Sequence, residues 1–181
     1  MQCATTYRPV RRRDGTLAPM TRRHLLIPIT PAPVGCLRVL VAEDSSVVRF
    51  VTRSLLLSRW QMDLRMVADG AEAVREALRC NFDVVLMDLQ MPVMDGYAAT
   101  RSIRKFEAEN PSRRRTPVVA YTASSEADVG AQILDCGMDS MLAKPASPLA
   151  MCATLHQWGA GKITRIGKAT CDRGSTRSVY A

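Results

Sequence analysis

The amino-acid sequence predicts an α/β fold, a doubly wound parallel sheet with helices on both faces. Short apolar segments alternate along the chain with segments whose apolar residues recur at helical spacing. The apolar segment 84–87 has no polar alternation, which is typical of a strand covered on both faces. Right-handed crossovers between parallel strands then place helices on both sides of the sheet. The length of 181 residues is enough for one such domain.

The first half of the fold is predicted from apolar segments bounded by capping and turn residues. Ser45 or Ser46 can cap the first helix, and Asp69-Gly70 is a turn that precedes the second. The elements predicted here are, in order, strand 37–42, a helix that carries the apolar residues of 47–56, strand 64–67, helix 71–79 and strand 84–87.

The second half continues the alternation. Gly137 ends the fourth helix, while Ser147 as cap and Pro148 in the first turn begin the fifth. Three arginines, 113–115, lie in the loop after the third helix, where we expect them to be solvated. The elements predicted here are, in order, helix 96–106, strand 117–121, helix 126–136, strand 141–143 and helix 148–158.

The net charge of +8 is carried by the two ends of the chain. Residues 1–36 contain six arginines and one acid, and residues 162–181 contain five basic residues and one acid, so the segment between them is close to neutral. A basic tail is more often solvated than bound to nucleic acid, and we do not expect nucleic-acid binding. Apolar runs are far shorter than the roughly 18 residues of a membrane span, so none is predicted.

These composition shifts divide the chain into three parts. We expect a basic, proline-rich, disordered leader at 1–36, a folded domain at 37–160 and a basic, disordered tail at 161–181. The six cysteines form no close pair and no zinc spacing, which indicates a reducing, cytoplasmic setting. Organelle targeting by the arginine-rich leader is the alternative, although its prolines interrupt an amphipathic helix.

Polar residues with complementary chemistry follow four of the predicted strands. Glu43 and Asp44 follow the first strand, Asp88 the third, Thr122 the fourth and Lys144 the fifth. Each alone is most often a cap or a surface residue. Ligands of open α/β sheets bind outside the carboxyl ends of the strands, so we expect these five side chains to converge there.

The chemistry of this set points to a divalent cation and a phosphoryl group. Two carboxylates ~4 Å apart repel by about 4 kcal/mol at an effective dielectric constant near 20, and a cation reverses that sign. Carboxylate oxygens suit Mg²⁺, while an ammonium and a hydroxyl suit phosphate oxygens. Asp88, at the end of the most buried strand, is the expected nucleophile that forms an aspartyl phosphate.

Four motifs at their observed spacing closely resemble the receiver domain of two-component response regulators. They are VLVAED at 39–44, VLMDLQMPVMDG at 85–96, AYTA at 120–123 and KP at 144–145. The resemblance covers residues 37 to about 158 and, through the ending GMDSMLAKP at 137–145, is most similar to the receivers of hybrid histidine kinases and phosphorelays. It implies a flavodoxin-like, five-stranded parallel sheet with strand order 2-1-3-4-5.

The resemblance also implies a role for each site residue. Asp88 is the phosphorylation site, Thr122 and Lys144 contact the phosphoryl oxygens, and the Lys144-Pro145 bond is cis. Mg²⁺ is bound directly by Asp44 and Asp88, by the backbone carbonyl of Gln90, and through water by Glu43.

The implied function is phosphorelay signalling rather than enzymatic turnover. The donor is the phosphohistidine of a histidine kinase or a histidine phosphotransfer protein, and the signal is a conformational change of the face from the fourth helix to the fifth strand. Met141 stands where many receivers carry an aromatic residue, so we expect no aromatic hydroxyl for an output partner.

Two alternatives remain at this point. The chain could be the detached C-terminal receiver part of a hybrid sensor histidine kinase, since it contains no kinase core. An aspartyl-phosphate phosphatase would also use a strand-end aspartate with Mg²⁺, but it carries a second acid two residues later, where this chain has Gln90.

Overall fold

The structure is a computed structural model that describes residues 36–159 and 164–165. Except for Cys36, the predicted leader lies outside these residues. The predicted tail, 161–181, also lies outside them except for a two-residue strand at 164–165. The predicted disorder at both ends stays a prediction.

Five helices and six strands alternate along the described chain. The five longer strands form a parallel sheet in the order 2-1-3-4-5, as predicted, and a sixth, short strand pairs antiparallel with the outer edge of the second. The elements are β1 Leu37–Ala42, α1 Ser46–Leu57, β2 Trp60–Val67, α2 Gly70–Arg79, β3 Val84–Met87, α3 Gly96–Glu109, β4 Val118–Thr122, α4 Glu126–Asp135, β5 Ser140–Ala143, α5 Pro148–Trp158 and β6 Thr164–Arg165.

Two apolar clusters cover the two faces of the sheet. Successive strand side chains point to opposite faces, so Val85 and Met87 of β3 join one cluster while Val84 and Leu86 join the other. All four are fully buried, as expected of a central parallel strand. Among the described residues, no helix has the length and apolar character needed to cross a membrane.

Side-chain caps set the helix starts. Ser45, not Ser46, caps α1 by accepting a hydrogen bond from the Val48 amide, and Asp95 caps α3. Ser147 caps α5 with Pro148 in its first turn, as predicted. After α4, Gly137 takes a φ of +91°, a left-handed conformation that glycine adopts without steric cost.

Strand β2 is longer than predicted, because its apolar residues alternate with polar ones. It begins at Trp60 rather than Leu64, and every second residue from Trp60 to Met66 faces the cluster beneath α1 and α5. Gln61, Asp63 and Arg65 point to solvent. This pattern indicates a strand with one exposed face, which a search for continuous apolar runs does not detect.

The expectation that arginines 113–115 are merely solvated is wrong. Arg114 pairs with the buried carboxylate of Asp83 at 3.1 Å, and Arg115 pairs with Asp139. Arg113 donates to Asn81 and stacks over the Phe106 ring, 5.3 Å from its centroid. The polar partners lie 24 to 32 residues away in sequence, so the run of three arginines did not indicate them.

The guanidinium of Arg104 on α3 makes hydrogen bonds to residues just before β4 and β5. Arg104 donates to the Gly137 carbonyl at 2.8 Å and to the Thr116 carbonyl at 2.9 Å. It also pairs with Glu107 at 2.6 Å and with Asp139 at 2.9 Å. The Glu107 and Asp139 side chains are only 12% and 10% exposed. Loss of this guanidinium would leave the largely buried Glu107 carboxylate without its ion pair, whereas Asp139 would keep its pair with Arg115.

We therefore expect Arg104→Ala to lower the free energy of unfolding by about 3 kcal/mol. The matched control is Lys105→Ala on the same helix, whose ion pair with Glu109 is 4.0 Å long and exposed. That control should change the free energy of unfolding by less than about 0.5 kcal/mol. Urea titration followed by circular dichroism measures both, and equal effects of the two substitutions would contradict the role of Arg104.

Candidate functional site

Strand ends at one edge of the sheet position the predicted site residues. The Asp88 amide donates to the Ala42 carbonyl at 3.0 Å, so the residue after β3 is held beside the end of β1. The Lys144 amide donates to the Thr122 carbonyl at 2.8 Å, which holds the residue after β5 beside the end of β4. Backbone hydrogen bonds thus extend the sheet by one residue, up to two of the predicted site residues, Asp88 and Lys144.

Three carboxylates meet at this edge. Glu43, Asp44 and Asp88 each offer an oxygen atom that lies within 4.8 Å of the other two. Glu43 and Asp88 are buried, with 1% and 6% of their surface exposed, whereas Asp44 is exposed. At such separations the acids repel one another, and three oxygen donors of this kind are suited to a hard divalent cation.

Lys144 bridges the two buried acids. Its Nζ donates a 2.6 Å hydrogen bond to Asp88 Oδ2 and also forms an ion pair with Glu43 Oε2. Burial by itself lowers the pKa of Lys144, but the hydrogen bonds to Asp88 and Glu43 outweigh that effect, and the pKa is raised. The ammonium is therefore charged throughout the physiological range.

Backbone and side-chain hydrogen bonds fix the acids. The Gln90 amide donates to Asp88 Oδ1 at 3.3 Å, and the Ser45 amide donates to Glu43 Oε1 at 3.2 Å. Arg49 of α1 donates to the carbonyls of Glu43 at 2.5 Å and Asp44 at 2.7 Å. Sequence reasoning missed Arg49, because an arginine in the first turns of a helix carries no signal that its side chain turns back to a loop.

The remaining predicted residues lie around the acids. Thr122 is buried, with 2% of its surface exposed, and its hydroxyl accepts a hydrogen bond from the Ser124 amide at 3.2 Å. Gln90 is exposed. The Lys144-Pro145 peptide bond is cis. Met141 is partly buried and packs against the cluster beneath α2, α3 and α4.

An open parallel sheet with three carboxylates and a lysine at its carboxyl edge defines an α/β domain whose candidate ligand site is that edge. The chain belongs to the response regulator receiver domain family, whose family model matches residues 39–156. Domains of this family are signalling domains.

One curated relative and two solved structures illustrate the match. Hybrid signal transduction histidine kinase A of Dictyostelium discoideum is 34% identical over 146 residues, which are 80% of this chain but 7% of that kinase. The receiver domain of the sensor histidine kinase PA1611 from Pseudomonas aeruginosa, solved with a magnesium ion in its active-site cleft, is 35% identical. The match covers 69% of this chain and 98% of that one, with a TM-score of 0.59.

The second structure is the receiver domain of the response regulator Ssk1 in complex with the histidine phosphotransfer protein Ypd1, from Saccharomyces cerevisiae. It is 28% identical, covers 69% of this chain and 90% of the matched chain, and has a TM-score of 0.62. The curated relatives are much longer proteins, and this chain spans only a small part of their length.

Close backbone contact at Gly96 supports the loop that begins at Asp88. A Cβ atom at Gly96 would lie 2.1 Å from the Asp88 carbonyl oxygen and 3.1 Å from the Leu89 Cα. Both are backbone atoms, which cannot rotate away. The Gly96 amide also donates to the Leu89 carbonyl at 3.1 Å, so α3 begins against the strand end that carries Asp88.

We expect Gly96→Ala to lower the free energy of unfolding by about 2 kcal/mol through overpacking. The preference of helix interiors for alanine over glycine applies less at Gly96, because it is the first residue of α3, so the backbone contact should decide the sign of the change. Urea titration gives that sign, and amide chemical shifts should change most at Asp88 and Leu89. A variant more stable than the wild type would show that the backbone of Asp88 and Leu89 can accommodate the added Cβ atom.

Proposed function

We propose that the domain accepts a phosphoryl group on Asp88 from the phosphohistidine of a histidine kinase or histidine phosphotransfer protein. The observation that carries the proposal is the buried Asp88 carboxylate, hydrogen-bonded to Lys144 and flanked by two further acids. A carboxylate oxygen forms the new bond to phosphorus while the phosphorus–nitrogen bond breaks, and the electron pair stays on the imidazole.

Mg²⁺ is the cofactor that the acidic cluster fits. We assign Asp44, Asp88 and the Gln90 backbone carbonyl as its direct protein ligands, with Glu43 acting through water. When bound, the ion offsets the negative charge gathered during transfer. Support comes from the three oxygen donors within 4.8 Å and from the magnesium ion in the PA1611 receiver.

Lys144 and Thr122 are assigned to the phosphoryl oxygens. The Lys144 ammonium already touches Asp88, so it is in place to neutralise a phosphoryl group on that carboxylate. The Thr122 hydroxyl can donate a hydrogen bond to the same group.

The output is a change of the face formed by α4 and β5. A phosphoryl group adds up to about two negative charges, and a Thr122 hydroxyl drawn towards it would shift the loop that leads into α4. Met141 on β5 can then repack without an aromatic ring. The chain fits a receiver that is either independent or a C-terminal part of a hybrid histidine kinase, and its cytoplasmic location stays a prediction.

Asp88→Asn should abolish Mg²⁺-dependent labelling by acetyl phosphate, because the amide cannot form an acyl phosphate. The matched control is Asp95→Asn, an exposed acid in the same loop whose capping role asparagine can fill. Phosphate-affinity electrophoresis and intact-mass spectrometry measure the label. Labelling that persists in Asp88→Asn would place the nucleophile elsewhere, and rapid turnover of simple phosphoesters would favour the phosphatase.

The partner surface is expected on α1, next to the acids. Val47, Phe50 and Val51 share one face of this helix and are 69%, 70% and 57% exposed. Large apolar side chains clustered in solvent mark interaction surfaces. A phosphohistidine that reaches Asp88 must bring its own protein over the adjoining start of α1, so we assign this apolar face to the donor protein.

Phe50→Ala should therefore slow phosphoryl transfer from phosphorylated Ypd1 by at least about fivefold, the effect of losing roughly 1 kcal/mol of contact. Labelling by acetyl phosphate should be unchanged, because that donor needs no docking surface. Leu134→Ala, which removes a 71% exposed side chain from α4, is the control. Quenched-flow assays give the transfer rates. Equal transfer rates for both variants would contradict the assignment of the donor protein to α1.

A further inference from the structure

The ring of Tyr121 lies beneath the Lys144 ammonium. Tyr121 is 4% exposed, and its neighbours in β4, Ala120 and Thr122, point to the opposite face of the sheet. Lys144 Nζ lies over the ring, 5.2 Å from its centroid. A cation over the face of an aromatic ring at this distance is attracted by the negative potential of that face.

The far end of the same side chain reaches α1. The Tyr121 hydroxyl lies 3.4 Å from the hydroxyl of Thr52, a long hydrogen bond between two buried groups. Thr52 is 1% exposed and lies on the side of α1 that faces the sheet. Because a buried hydroxyl needs a partner, this contact favours one orientation of the ring.

We propose that Tyr121 is a positioning residue for Lys144, whose ring holds the ammonium at the site while Thr52 fixes the hydroxyl end. The inference rests on the proposed function, since it concerns the group assigned to the phosphoryl oxygens. The contact between Tyr121 and Lys144 cannot be predicted from the polar residues that follow the strands.

The Lys144 side chain is flexible, so its ammonium needs several contacts to stay in position. Four rotatable bonds separate the ammonium from the backbone, and its other anchors are the Glu43 and Asp88 carboxylates. A divalent cation or a phosphoryl group engages those same carboxylates and weakens their hold on the ammonium. The attraction to the ring does not depend on the carboxylates, so it persists through the transfer.

The first test is carried out without metal or phosphodonor. Protons above the face of an aromatic ring resonate upfield, so the Lys144 Hε signals of the wild-type chain should be shifted upfield, with Lys144→Arg used to assign them. Tyr121→Phe should keep the shift, because the ring remains, and Tyr121→Leu should lose it. Wild-type Hε signals at ordinary lysine positions would overturn the inference, whatever the variants do.

The second test measures labelling by acetyl phosphate. Tyr121→Phe should label within about twofold of the wild-type rate, whereas Tyr121→Leu should be slower by about fivefold, the size of one cation–π contact. Equal rates in wild type and Tyr121→Leu would overturn the inference. If Tyr121→Leu does not fold, as judged by amide chemical-shift dispersion, Tyr121→Met replaces it with the same expected loss.

Different results would contradict the phosphorylation of Asp88 and the positioning role of Tyr121. A wild-type chain that acetyl phosphate does not label on Asp88 contradicts the proposed function but leaves the resonance test of Lys144 intact. A wild-type chain that labels normally while Tyr121→Leu matches its rate contradicts the role of Tyr121 alone. Rescue by phenylalanine separates the ring from a general packing effect, since leucine also fills an apolar site.

Discussion

The structure depends on one electrostatic constraint, which is that three acids share an edge of the sheet with a single lysine. Lys144 contacts Glu43 and Asp88, and Asp44 adds a further negative charge at the rim. Each close carboxylate pair costs about 4 kcal/mol at an effective dielectric constant near 20. The acids outnumber the ammonium that contacts them, and such a set of oxygen donors fits a divalent cation. In the proposed function, a divalent ion held by these acids would offset the charge gathered when Asp88 accepts a phosphoryl group.

Because the three carboxylates repel one another, the remainder of the fold must hold them close together. The support begins in β3, whose four residues are fully buried between two apolar clusters and which Asp88 directly follows. Backbone hydrogen bonds from Asp88 to Ala42 and from Lys144 to Thr122 then fix the strand ends relative to one another. Burial of apolar surface on both faces thus stabilises a cluster of charges that would separate if its loops were free.

The alternation of strands and helices and the residues of the candidate site could be predicted from local patterns, whereas the strand order was implied by the resemblance to receiver domains. Apolar runs mark buried strands, and polar residues at their ends must share an edge when the strands are parallel. Contacts between distant side chains left no such pattern. The partners of Arg114 and of Arg115 are set by tertiary structure, as is the pairing of β6 with the exposed edge of β2. The length of β2 was underestimated because an edge strand alternates apolar and polar residues.

Helix α1 connects the exposed apolar face assigned to the donor protein with residues of the candidate site. Its exposed face carries Phe50 and Val51, its first turns carry the Arg49 that holds the carbonyls of the acidic loop, and its buried face carries Thr52. Thr52 contacts Tyr121, whose ring in turn lies beneath Lys144. A protein docked on the exposed face would press on a helix that touches both the acidic loop and the support of the lysine. Rigid packing between helix and sheet transmits small displacements rather than absorbing them. The apolar face assigned to the donor and the groups assigned to the phosphoryl oxygens are therefore connected through a few contacts of a single helix.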